Sequence, residues 1–134
     1  MEKAQTKNRD ISFYSEKNQE MLCVHSREAR DYAEQLELAP NVVKYQVCRE
    51  LERERYQHID PIDIRRDYFN TAWTTDFILY FSDGSRGVRE VVAKDDLIKR
   101  AVVEKLEFSR RYWAATDVLD WKLVIIERGS NYVL

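Results

Sequence analysis

The stretch Trp73 to Lys94, WTTDFILYFSDGSRGVREVVAK, constrains the fold more than any other part of the chain. Phe77, Ile78, Leu79, Tyr80 and Phe81 form an apolar and aromatic run. Ser82-Asp83-Gly84-Ser85 supplies turn chemistry, and a second alternating run follows. The stretch therefore reads as a β-hairpin. Asp76 heads its first strand and Lys94 closes its second. Strand interiors disfavour aspartate, which favours a site role for Asp76 over a structural hydrogen bond. An aspartate and a lysine on partner strands form the minimal core of a metal-dependent phosphodiesterase. The carboxylate holds Mg2+, and the lysine steadies the attacking water or the developing phosphate charge.

Around the hairpin the chain divides into few, regular elements, as its three glycines and two prolines suggest. Residues 1–23 read as a weakly ordered arm and residues 24–134 as a single domain. Ser26 is placed to cap a helix over Arg27 to Leu38, with Ala29, Tyr32, Ala33 and Leu36 on its inner face. Val42 to Glu50 alternates as a strand. Leu51 to Tyr56 is charged enough for an edge or a solvated excursion, and Asp60-Pro61-Ile62-Asp63 is a turn. Asp95 or Asp96 is expected to cap a second helix that runs to about Ala115. Its inner face would carry Ile98, Val102, Leu106 and Trp113, widened by Ala101, Phe108 and Tyr112. Its basic side (Lys99, Arg100, Lys105, Arg110, Arg111) suits either solvent or a phosphate backbone. Asp120 to Glu127 reads as a buried strand that returns parallel to the hairpin. The expected order is αβββαβ, an α/β mixed sheet flanked by helices.

Charge and cysteine content narrow the function classes. A net charge of −2 over 134 residues argues against bulk electrostatic capture of nucleic acid but permits a local basic strip. Arg86 and Arg89 by the hairpin turn, with Lys99 and Arg100 on the second helix, are the candidate DNA contacts. Cys23 and Cys48 fit no metal-finger or redox spacing and read as reduced thiols of a cytoplasmic protein. His25 and His58 have no second ligand at metal spacing and read as surface or cap residues. No stretch is long and apolar enough to span a membrane, and no apolar signal run opens the chain.

Four pieces in order resemble one family. HSREARDY (His25 to Tyr32) with LELAPNVV (Leu36 to Val43) resembles the opening segment of TnsA-type endonuclease domains. Thr75-Asp76-Phe77 resembles their (T/P)-D-F strand. EKLEFSRRYW (Glu104 to Trp113) resembles their EKLE-x-ERRYW helix, and DWKLV (Asp120 to Val124) their closing strand. The resemblance implies a restriction-endonuclease-like, PD-(D/E)xK fold and Mg2+-dependent cutting of the 5′, non-transferred strand at transposon ends. It implies DNA, a TnsB-like transposase and an AAA+ regulator as partners, and leaves self-association open.

The family's catalytic set comprises a helix glutamate, the hairpin aspartate, and a glutamine or glutamate two residues before a lysine. Carried over, Asp76 matches the aspartate and Lys94 the lysine. The helix glutamate falls on Ala29 and the acid before the lysine on Val92. A one-residue offset turns a helix side chain by roughly 100°, so Glu28 does not stand in for position 29. Glu90 lies roughly 13 Å from Lys94 along the strand, too far for one metal shell. With Asp76 alone, Mg2+ binding is expected to be weak or absent if Ala29 is native. Ala29 has two origins compatible with the sequence: natural loss of cleavage, or deliberate replacement of a glutamate. Besides a transposase subunit, the sequence admits a nuclease fold that no longer cuts and serves as a DNA- or protein-binding subunit. The setting for that role is a transposition or phage complex.

Overall fold

The computed structural model describes residues 10–127. The elements are β1 (Ile11–Ser15), β2 (Glu20–Val24), α1 (Arg27–Leu38), β3 (Val42–Glu50), β4 (Thr74–Phe81), β5 (Arg86–Ala93), α2 (Arg100–Ala114) and β6 (Asp120–Ile126). Short 3-10 segments occupy Arg53–His58, Arg66–Asn70 and Lys94–Ile98. The protein is α/β, with a four-stranded mixed sheet ordered β3-β4-β5-β6 and a separate two-stranded sheet of β1 and β2. β5 and β6 run parallel; the other pairs are antiparallel. The chain order is thus ββαβββαβ in place of the expected αβββαβ. No helix among the described residues is long and apolar enough to cross a membrane.

The extra hairpin falls in residues expected to form a loose arm. It is held by tertiary contacts. Lys17 Nζ donates to the carbonyls of Ala39 (2.6 Å) and Val42 (2.5 Å), and Tyr45 N donates to Asn18 Oδ1 (3.0 Å). Phe13 and Val24 are buried with Ala29, Ala33 and Leu36 of α1 and with Tyr45, Phe77 and Leu79 of the sheet. Ser26 Oγ accepts from Ala29 N at 3.0 Å, the N-cap bond expected for α1, worth about 1 kcal/mol.

α2 covers the opposite face. Phe108, Tyr112 and Trp113 pack with Ile78, Val88, Leu51, Tyr56 and Ile59. Asp95 and Asp96 do not cap this helix. They belong to the 3-10 segment, and α2 starts after Lys99 with no side-chain cap. Ile98 consequently lies outside the inner face and is 89% exposed. β6 is a half-buried edge strand, not a sealed one; parallel pairing covers only one of its sides.

Two glycines serve the hairpin. Gly84 adopts φ +90° in the turn, a conformation that penalises a side chain. At Gly87 a Cβ would come within 2.9 Å of Phe81 and 3.1 Å of both Arg89 and Asp120, whose ion pair crosses over it.

Candidate functional site

The β4–β5 ladder runs from Tyr80 paired with Arg86 to Phe77 paired with Arg89. One step further, side chains replace the backbone bonds. Asp76 Oδ2 accepts from Val91 N at 2.8 Å, and Asp76 N donates to Glu90 Oε1 at 3.1 Å. The other oxygen of Glu90 accepts from Ser109 Oγ on α2 at 2.6 Å and from Thr75 Oγ1. Trp121 Nε1 of β6 donates to Ser109 Oγ at 3.0 Å. Two carboxylates therefore meet where the central strands part, tied to elements on either side.

Burial governs their electrostatics. Glu90 is 5% exposed, beside Leu51, Trp73 and Phe108. Burial and then the adjacent Asp76 charge push Glu90 up to about 7; the hydrogen bonds from Ser109, Thr75 and Asp76 only partly offset this. Burial also raises Asp76. The Val91 N–H, Lys105, a side-chain bond with Glu90 and His25 pull it back in part. Near neutral pH the pair carries fewer than two negative charges, and it can take up or release a proton.

The predicted site residues do not all converge here. Lys94 is in the 3-10 segment beyond β5, exposed, with Nζ 3.4 Å from Glu127 Oε2. It is directed to the end of β6, about three strand residues, or ~10 Å, beyond Val91. Ala29 is buried in the α1 layer, and Val92 is buried in β5 beside Ile125 of β6. Glu90, by contrast, is anchored to α2. The four candidate DNA-binding cations are all ion-paired: Arg86 with Asp117 (3.1 Å), Arg89 with Asp120 (3.1 Å), Lys99 with Asp96 (2.9 Å) and Arg100 with Glu104 (2.9 Å). Arg89 is also only 8% exposed, so it presents no charge to a DNA backbone.

Sequence reasoning passed over Glu90 by measuring its distance along the strand from Lys94. The useful signal was the turn. With Tyr80 opposite Arg86, each step back from Tyr80 matches one forward from Arg86, which sets Asp76 across from Glu90. Cys23 reads from sequence as a plain thiol, His25 as a surface residue, and Asp10 falls unremarked in the N-terminal arm; the structure groups the three within 4.8 Å.

The acidic pair does not fit a hydrated Mg2+. Both Glu90 oxygens already accept hydrogen bonds, as does Asp76 Oδ2. The adjoining cavity of about 10 Å³ is lined by Leu51, Trp73, Lys105 and Phe108 among others. It holds about one water at most, whereas Mg2+ usually retains several. No family model and no curated protein matches this sequence.

Proposed function

We propose that the chain is a nuclease-fold subunit of a DNA-processing complex, of TnsA-type lineage, that assembles with its partners without cutting. The observation that carries this reading is the meeting of Asp76 with Glu90 where β4 and β5 part. A restriction-endonuclease-like site keeps an aspartate and a second acid at this juncture. In place of the carry-over that puts the lysine at Lys94 and the acid at Val92, we take Glu90-Val91-Val92 as the counterpart of the acid-x-lysine triplet, with Val92 at the lysine position. With Ala29 in place of the helix glutamate, two of the four groups are apolar. The surviving acids are held by Thr75, Ser109 and Val91 as an internal polar centre and share protons in place of a metal.

The partners proposed are DNA at transposon ends and a TnsB-like recombinase. The paired state of Arg86, Lys99 and Arg100 supports a protein-led assembly over autonomous DNA binding. The test is co-assembly of the chain with such a recombinase on end-containing DNA, followed by strand-cleavage analysis in Mg2+ and Mn2+. A complex that forms with the 5′ strand intact is expected. Cutting by the unaltered chain would refute the non-cleaving role, and failure to join the recombinase would refute the lineage partner.

A further inference from the structure

A second polar cluster lies at the open end of the β1–β2 hairpin. Ile11 pairs with Val24, so Asp10 and His25, one step outward, face each other; His25 Nδ1 and Asp10 Oδ1 are 2.7 Å apart. Cys23 lies two residues before His25, and strand alternation gives the two one side. One ligand atom each from Asp10, Cys23 and His25 lies within 4.8 Å of the others.

β3 brings a fourth donor. Cys48 adopts φ +51° inside a strand; the other described non-glycine residues with positive φ, Gln19 and Asp63, lie outside strands. Such a conformation costs about 1 kcal/mol or more and persists where the surroundings hold it. The Cys48 thiol donates to the Cys23 carbonyl at 3.7 Å, which seats it beside the first cysteine.

We propose that Asp10, Cys23, His25 and Cys48 form a tetrahedral site for a transition-metal ion of borderline softness, with Zn2+ the natural occupant. One carboxylate, one imidazole and two thiols match that ion better than Mg2+ or Ca2+, which take oxygen ligands. Bonds of ~2.0–2.3 Å at tetrahedral angles require ligand atoms ~3.3–3.8 Å apart. Asp10, Cys23 and His25 therefore draw in around the cation and the Cys48 thiol, which lies outside their 4.8 Å group, turns from the Cys23 carbonyl towards it, while the Asp10–His25 pair opens by roughly 0.6 Å to admit it between Oδ1 and Nδ1. Asp10 and His25 are exposed, so both adjustments are open to them. Binding displaces the thiol protons of Cys23 and Cys48 to solvent and forms two metal–thiolate bonds. The ion would clamp β1 and β2 to β3. It would also set a dication near Asp76, which already feels His25.

Co2+ and Zn2+ titrations of the reduced chain test the site. One equivalent of Co2+ should give tetrahedral ligand-field bands with thiolate-to-metal charge transfer, displaced by Zn2+. Cys48→Ser should lower the charge-transfer intensity by about half, the loss of one of two thiolates. His25→Ala or Cys23→Ser should weaken Zn2+ binding at least about tenfold. Zn2+ should raise the melting temperature of the unaltered chain clearly more than that of His25→Ala at the same concentration, which separates binding from any folding defect. No charge-transfer band, or full intensity in Cys48→Ser, would overturn the four-ligand assignment. Rapid formation of a Cys23–Cys48 disulfide with no metal uptake by the reduced chain would do the same.

Discussion

Glu37 and Glu90 accept the same kinds of hydrogen bond yet titrate in opposite directions. Glu37, in the last turn of α1, accepts from Ser15 Oγ (2.5 Å), Tyr45 Oη (2.5 Å) and the Lys17 N–H (3.0 Å). Glu90 accepts from the Thr75 and Ser109 hydroxyls and the Asp76 N–H. Each has two hydroxyls and one backbone donor. Burial raises both. At Glu37 the hydrogen bonds and the Lys17 charge win, and the carboxyl falls below its usual range. At Glu90 burial is deeper and the next charge is another carboxylate, so the group rises to about 7. The number of donors does not set the charge state; depth and the sign of the nearest ion do. One carboxylate is a fixed anion that pins the hairpin turn. The other is half of a proton-sharing pair.

Truncation should separate them most. Glu90→Ala strands two buried hydroxyls and an N–H and opens a cavity. It should lose about 3 kcal/mol in urea unfolding at pH 7. Glu37→Ala should lose less, about 2 kcal/mol, because Glu37 itself is only half-buried, so its removal opens less of a closed cavity and lets water reach its donors. Glu90→Gln should lose less, about 1 kcal/mol: its carbonyl keeps the acceptor of the Thr75 and Ser109 hydroxyls and its amide can donate to the Asp76 carboxylate, while the Asp76 N–H loses its acceptor. Equal losses for the two alanine variants would break the distinction drawn between the sites.

How much of this contrast was legible beforehand follows from the range of the contacts. The helix from Arg27 to Leu38, its Ser26 cap and the central hairpin depend on neighbours a few residues apart, and the sequence displays them. The basic side of α2 was half legible. Arg100 meets Glu104 and Arg111 meets Glu107 at i,i+4 spacing, so the neutralisation was there to be counted. The partner of Lys94 was not. Glu127 adjoins it only because β6 pairs parallel with β5, Ala93 beside Ile126. The β1–β2 hairpin was hidden for a similar reason. Its stability comes from Lys17 and Asn18 reaching the end of α1 and β3. Pattern alone could not rank those five-residue strands above a frayed terminus.

The pH dependence of stability sharpens the comparison. Glu90 holds its proton more tightly folded than unfolded. Between its ordinary value near 4.5 and about 7 the native state binds more protons, so stability falls as pH rises through that window. Asp76, also raised, adds in the same direction. The slope approaches ~1.4 kcal/mol per pH unit for one proton. Glu37 is lowered, so its contribution is present above about 4.5 and fades as pH falls below it. Glu104, held at about 2 by Arg65 and Arg100, acts on the same acid side. A stability maximum near pH 5 is expected from urea midpoints across pH. Glu90→Gln should flatten the upper limb and leave the acid limb in place. Glu37→Gln should do the reverse in part, since Glu104 and Glu107 still act there. A stability curve that keeps its upper slope in Glu90→Gln would remove the proton-sharing pair.

The smallest effects come from deleting one hydroxyl at each site. Tyr45→Phe takes a donor from an ionised carboxylate, a charge-assisted bond, and should lose about 1.5 kcal/mol at pH 7. Ser109→Ala takes one from a carboxyl that is partly protonated at that pH, and also removes the acceptor of Trp121 Nε1. About 1 kcal/mol is expected, with Glu90 rising further because the Ser109 bond was lowering it. Tyr45→Phe should likewise move Glu37 back up towards its ordinary value, yet leave it ionised at pH 7. Carboxyl-carbon NMR titrations of the two variants read these shifts directly. If Ser109→Ala lowers Glu90, then its serine bond serves the protonated form, and the source of the asymmetry between the sites must be sought in Asp76 alone.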